Sequence, residues 1–191
     1  MFRRGMRPAR SLGARVLWWI AGAAGAIILA IAAWDAVKLD RRVPELVPGS
    51  QRVTKILVEK SRRRMTLFRD GDALHMYDVA LGSAPVGHKQ QEGDGRTPEG
   101  NYAVDFKNAR SRFHLSLRVS YPRPEDRERA RQHGVPPGGD LMIHGLPRGL
   151  GWLGALHLVR DWTDGCIAVT NQEIEEIWAL VDTGIPIEIK P

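Results

Sequence analysis

Apolar positions along this chain change period several times, and each change marks a different element. From Val16 to Trp34 there are 19 residues with no charge at all. That is about the length an α-helix needs to cross a hydrocarbon layer. Trp18, Trp19 and Trp34 sit at its ends, where amphipathic rings favour the membrane–water interface. Residues 35–51 hold Pro44, Pro48 and Gly49 among scattered charges and read as a linker. Short strand-like runs follow. Thr54–Val58, Met65–Arg69 and Leu74–Leu81, with Asp70-Gly71 between the last two, predict an antiparallel hairpin or meander. Gly82 to Gly100 is a long polar loop, after which Tyr102–Phe106 and Phe113–Leu117 read as strands. Pro124 to His133 reads as a short charged helix, and Leu141-Met142-Ile143 as a strand running into His144. The clearest helix starts at Thr170 with Glu173 three residues on, a capping box. Ile174, Ile177, Trp178 and Val181 then share one face, and Ile185, Ile187 and Ile189 alternate as a last strand. The expected architecture is a mainly β domain with a few short helices over residues 52–191, preceded by a transmembrane helix.

Charge sharpens this picture at one end. The chain has 28 Lys+Arg against 22 Asp+Glu, a net +6. Arg3, Arg4, Arg7, Arg10 and Arg15 account for five of these charges, and no acid stands among them. Little excess remains for the rest, so no nucleic-acid footprint is expected on the folded part. Arginines before the apolar run predict residues 1–15 in the cytoplasm, 16–34 as a single-pass inner-membrane anchor and the domain in the periplasm. A cleaved signal peptide, with Ala30-Ile31-Ala32 as the small-residue site, is the alternative, and it exports the domain equally. The Arg62-Arg63-Arg64 run reads as a solvated turn.

Cys166 is the single cysteine, so no intramolecular disulfide can form. Taken alone it reads as a buried structural thiol, since Ile167 and Val169 continue an apolar pattern. The functional alternative needs a base and access. Gly165 leaves the approach clear, and the capped helix four residues on would favour a thiolate. Of six histidines, His144 stands where an apolar strand meets a Pro/Gly-rich loop, a common position for a site residue. His157 is the second candidate base; His75 and His114 lie within strand-like runs, and His88 and His133 in polar segments. One cysteine with dispersed histidines has no zinc-site spacing, and the phosphate-cradle and dinucleotide motifs are absent, so no metal and no cofactor are expected.

These residues carry a resemblance. Met142-Ile143-His144-Gly145, Thr163-Asp164-Gly165-Cys166-Ile167 and Thr97-Pro98-Glu99-Gly100-Asn101-Tyr102 together resemble the L,D-transpeptidase (YkuD-type) catalytic domain, over about Lys55 to Ile189. The resemblance implies a sandwich- or barrel-like β fold and an exported enzyme acting on peptidoglycan stem peptides. It implies that Cys166 attacks the carbonyl between the diamino-acid residue and D-alanine. His144 would serve as base and then acid, steadied by the Gly145 carbonyl. Gly165 and Cys166 N–H groups would line the oxyanion hole, Thr163 would support the loop, and Asp164 and Arg148 would contact substrate. The resulting thioester would pass to an amine, giving a cross-link or a lipoprotein attachment, or to water. Two positions depart from the family pattern: Asp164 replaces its histidine and Ala168 its Arg or Asn. A carboxylate at 164 is expected to raise the thiol pKa. The form Asp-Trp-Thr-x-Gly-Cys-Ile-Ala-Val also resembles a branch that includes hydrolases releasing lipoprotein from peptidoglycan. A catalytically silent wall-binding module is the reading from another class. Gly82–Gly95 and Arg148–His157 are the loops expected to flank the cleft.

Overall fold

The computed structural model describes residues 43–191, together with Gly25, which is helical. Apart from Gly25, the segments expected at 1–15 and 16–34, and the linker up to residue 42, lie outside the described residues. Among the described residues no helix is long and apolar enough to cross a membrane.

Eight strands form one sheet in the order β3-β2-β1-β8-β4-β5-β6-β7. They are β1 (Lys55–Glu59), β2 (Arg64–Arg69), β3 (Asp72–Asp78), β4 (Gly100–Asn108), β5 (Ser116–Val119), β6 (Met142–His144), β7 (Ile167–Ala168) and β8 (Pro186–Lys190). The two helices are α1 (Pro124–Gln132) and α2 (Asn171–Leu180). Alternation builds the core: Ile56 and Val58 on β1 face inward, paired in parallel with Ile187 and Ile189 on β8, all essentially buried. Long β4 makes the sheet curl. Its first half pairs with β8 and its second with β5, with a register shift between Val104 and Phe106. The chain leaving β3 then crosses to the far edge, where Ala80 and Ala168 exchange both backbone hydrogen bonds, 3.0 and 2.8 Å. That bridge closes the sheet on itself, so the barrel-like expectation is met by a curled, closing sheet.

The capping box on α2 is present: Glu173 N donates to Thr170 Oγ1, and Thr170 N donates to Glu173 Oε2 at 2.8 Å. Its face of Ile174, Ile177 and Trp178 is buried against the sheet. Chain packing starts before residue 52, since Val47 N donates to Ala179 O and Arg52 pairs with Asp182.

Two local expectations need correction. The strand placed at Phe113–Leu117 begins only at Ser116, because His114 is left-handed at φ 65° and breaks the extended run. The Arg148–His157 loop contains a kinked 3-10 segment, Gly151–Val159. Within the arginine run, Arg63 is no bystander, because it pairs with Asp161 98 positions away.

Loop 82–99 is held rigidly by one buried lysine. Lys60 Nζ donates to Gly87 O (2.6 Å), Thr97 O (2.9 Å) and Glu99 Oε1 (2.8 Å), with 2% of the residue exposed. A methionine there fills the volume and strands all three acceptors. Lys60→Met is expected to cost about 3 kcal/mol of stability. Denaturant unfolding and limited proteolysis should show a less stable domain, cut first within residues 82–99.

Candidate active site

Strand β6 and the turn before β7 bring His144 and Cys166 to one place. The two strands are parallel, with Ile143 opposite Ile167 and His144 opposite Ala168. Ile143 and Ile167 point into the core, so Met142, His144 and Cys166 share the opposite face. Both His144 and Cys166 line a cavity of 420 Å³, with Phe113, Leu141, Trp162 and Thr163 among its walls. The charged groups around it are Lys89, Glu92, Arg112, Asp140 and Asp164.

His144 is 2% exposed. Its Nδ1 lies 2.7 Å from Gly145 O, and since a carbonyl only accepts, Nδ1 carries the proton and Nε2 keeps its lone pair. Phe113 packs on the ring at 4.4 Å between centroids and Trp162 meets it edge-on at 5.8 Å. Burial depresses the imidazole pKa to about 4, against a small upward pull from the Gly145 carbonyl. The ring is therefore uncharged at neutral pH. A histidine titrating near 6.5 when unfolded and near 4 when folded stabilises fully above 6.5. That contribution, on the order of 3 kcal/mol, disappears as pH falls from 6.5 to 4. His88 and His157, also depressed by burial, act in the same sense. Melting temperature should fall steeply across this window, and a His144→Asn protein should show a shallower slope.

Cys166 Sγ accepts from Met142 N at 3.4 Å, and its thiol faces Asp140 O at 3.8 Å. Burial pushes the thiol pKa up, Asp164 and Asp140 add to this, and the Met142 N–H and Lys89 oppose it. The thiolate expected from the α2 N-terminus is therefore not the resting form. That helix end instead meets the loop after His144, where Asn171 Oδ1 accepts from Leu146 N at 2.8 Å.

The turn holding the sulfur is built by Thr163 and Gly165. The Thr163 hydroxyl donates to Cys166 O (2.7 Å) and accepts from Gly165 N (3.2 Å). The Gly165 N–H, expected at the oxyanion hole, is engaged by the Thr163 hydroxyl in this state; the Cys166 N–H enters none of the turn's hydrogen bonds. Gly165 has a reason beyond open access. It sits at φ 123°, and a Cβ there would lie 2.5 Å from Arg96 O. Gly82 interlocks with it, since a Cβ on Gly82 would be 2.9 Å from Gly165 Cα.

Asp164 is exposed at the cavity rim. Arg148 does not line the cavity, because its side chain turns to the carbonyls of Ser111 (3.3 Å) and Arg110 (3.5 Å). His157, the second candidate base, is buried outside the cavity wall with neither ring nitrogen partnered, edge-on to Trp162. Loop 82–95 does flank the cavity through Lys89, Glu92 and Gly93, whereas 148–157 contributes no lining residue.

No role is read from the sequence for Phe113 or Lys89, and Asp161 and Trp162 stand there only within the motif before Cys166. Lys89 is buried and paired with Asp94, which also accepts three backbone N–H groups of the same loop. Asp161 accepts from Leu81 N at 2.9 Å while pairing with Arg63, fixing the entry to the cysteine turn. Only the adjacency of Asp161-Trp162 to Thr163 could have pointed to two of these. Among the described residues no cluster of three or more His, Cys, Asp or Glu could hold a metal ion.

Comparison with known proteins agrees with this arrangement. The family model for the L,D-transpeptidase catalytic domain (YkuD) matches residues 54–189. Over 110 residues the chain is 33% identical to YafK of Escherichia coli (strain K12), a match covering 56% of this chain and 37% of YafK. Among solved structures, the helical cell shape determining protein Pgp2 from Campylobacter jejuni is similar with a TM-score of 0.52 and 23% identity, over 82% of this chain and 54% of that one. Bd1075 of Bdellovibrio bacteriovorus is similar with a TM-score of 0.52 and 23% identity, over 78% and 51%. These two likenesses show a shared fold; the chain spans about half the length of those proteins and little more than a third of YafK. With a match running through nearly all of the described domain, and with the cysteine turn and the histidine strand both inside it, the chain belongs to the family of YkuD L,D-transpeptidase catalytic domains.

Proposed function

We propose that this protein is a peptidoglycan L,D-transpeptidase that works by cysteine acyl transfer. The observation that carries this reading is a single thiol and a single neutral imidazole opening on one cavity, the imidazole fixed with Nε2 free. In the resting site both groups are uncharged. As a stem-peptide carbonyl meets Sγ, Nε2 of His144 takes the thiol proton, so charge develops only during attack. The Gly145 carbonyl steadies the imidazolium through Nδ1–H. The Cys166 N–H is the donor nearest the developing oxyanion. Collapse breaks the amide bond, and the imidazolium returns its proton to the leaving D-alanine amine. An incoming amine then gives up a proton to His144 and attacks the thioester, and Sγ leaves and regains that proton. Water in place of the amine gives hydrolysis by the same steps. Asp164 at the rim contacts substrate, and a lipoprotein amine is one candidate acceptor. Export rests on the sequence of residues 1–34, with 16–34 as an inner-membrane anchor and the domain in the periplasm.

Defined tetrapeptide muropeptides incubated with the protein test this directly. Loss of D-alanine with a cross-linked dimer is the expected product pattern. Loss of D-alanine yielding only tripeptide identifies the hydrolase instead. No reaction, together with no covalent adduct from a carbapenem, reduces the protein to a wall-binding module.

A further inference from the structure

The segment from Leu150 to Val159 is the most apolar exposed stretch of the domain, and the reaction described above does not use it. Leu150 is 41% exposed, Trp152 75%, Leu156 64% and Val159 84%. Its only polar side chain, His157, is turned inward and buried. None of its residues lines the cavity. Water should not be the natural neighbour of four large apolar side chains in ten residues.

The charges beside it say what the neighbour is. Arg148 precedes the segment and Arg160 follows it. Arg148 also reaches the backbone of residues 110–112, which brings Arg110 and Arg112 to the same side. All four arginines are exposed, and none has a carboxylate within ion-pair distance among the described residues. Of the other exposed arginines among the described residues, Arg62 and Arg131 each face one, and Arg127 on α1 does not. Asp161, next to Arg160, is turned to Arg63. Glu175, on the first turns of α2, is turned to His114.

We propose that residues 150–159 are an interfacial segment that seats this domain on an anionic phospholipid surface. Trp152, Leu156 and Val159 enter the boundary between headgroups and acyl chains, and Arg110, Arg148 and Arg160 meet lipid phosphates, while Arg112 stays at the cavity. A tryptophan flanked by aliphatic residues and arginines matches that boundary's chemistry. A glycan strand fits poorly, because it needs hydrogen-bonding side chains around the aromatic ring and this segment offers none. A second copy of the chain fits poorly too, because a two-fold interface would bring the unpaired arginines against their own copies.

The test uses residues 43–191, which form one compact unit whose described buried core lies within residues 53–189. Vesicles of phosphatidylcholine alone are compared with vesicles containing about one third phosphatidylglycerol. The expected result is cosedimentation with the anionic vesicles at low salt, weakened as salt rises. Arg110→Ser with Arg160→Ser should weaken that binding about 25-fold, roughly five-fold for each charge. Trp152→Ser with Leu156→Ser should weaken it at least about ten-fold. Should either double variant fail to fold, quenching of tryptophan emission by brominated lipid in the unaltered fragment decides the matter. Absence of quenching, failure to bind anionic vesicles, or unchanged binding by both variants overturns the proposal. Binding to peptidoglycan sacculi instead, or dimerisation, lost in the tryptophan variant, overturns it equally.

Discussion

Cys166→Ala is expected to abolish turnover of a tetrapeptide stem, by about 10³-fold or more, while melting within a few degrees of the unaltered protein. The sulfur's polar partners are Met142 N and Asp140 O, both backbone groups, and the substitution removes a single side-chain atom. His144→Ala should lose about 10³-fold for want of a base, with a larger stability cost because the ring is buried between Phe113 and Trp162. The pH behaviour separates this site from one that rests as a thiolate–imidazolium pair. Burial keeps the imidazole near 4 and the thiol raised, so the resting pair is neutral through the physiological range. Turnover should therefore be flat around neutrality and fall only as pH approaches 4. Alkylation of Cys166 by iodoacetamide without substrate should accelerate only above the ordinary thiol range. Rapid alkylation already at pH 6 would contradict the neutral pair.

The second large effect is expected at Gly165, one position before the sulfur. Gly165→Ala places a methyl group 2.5 Å from the Arg96 carbonyl at a backbone angle, φ 123°, that side chains rarely adopt. The clashing atom is backbone, not a flexible side-chain end, so the backbone must move, and Gly82 and Gly95 are packed into the same crossing. The expected cost is about 3 kcal/mol or more, together with loss of activity as Cys166 leaves its place beside Met142 N. Gly184→Ala provides the control. Gly184 also has a positive φ, 88°, but nothing lies within 4 Å of its would-be Cβ. It should cost about 1 kcal/mol. Equal denaturation midpoints for the two variants would show that the close approach to Arg96 is unimportant.

Local patterns were readable because they depend on neighbours in sequence. The capping box at Thr170 and Glu173, the single apolar face of α2, the alternation of β8 and the Asp70-Gly71 turn are each written in residues only a few positions apart. The departure of Asp164 from the family pattern also carried its electrostatic consequence, since the carboxylate two positions from Cys166 does raise the thiol. His144 and Cys166 stood out by residue type and setting. At Phe113 a left-handed neighbour, His114, and at Arg148 carbonyl partners distant in the chain redirected the group.

The order of strands, and therefore the meeting of residues 22 positions apart on one face, was decided by tertiary structure. It depends on β4 changing partners at its bulge and on Ala80 bridging Ala168, contacts whose enthalpy no local window contains. Protonation states were decided there too, since a pKa follows burial, and burial is a property of the packed whole. What the sequence alone determined is which side chains could react, how the helices start and where the apolar runs lie. Only the closed sheet determined that one imidazole would be dry, neutral and held by its own neighbour's carbonyl beside one raised thiol.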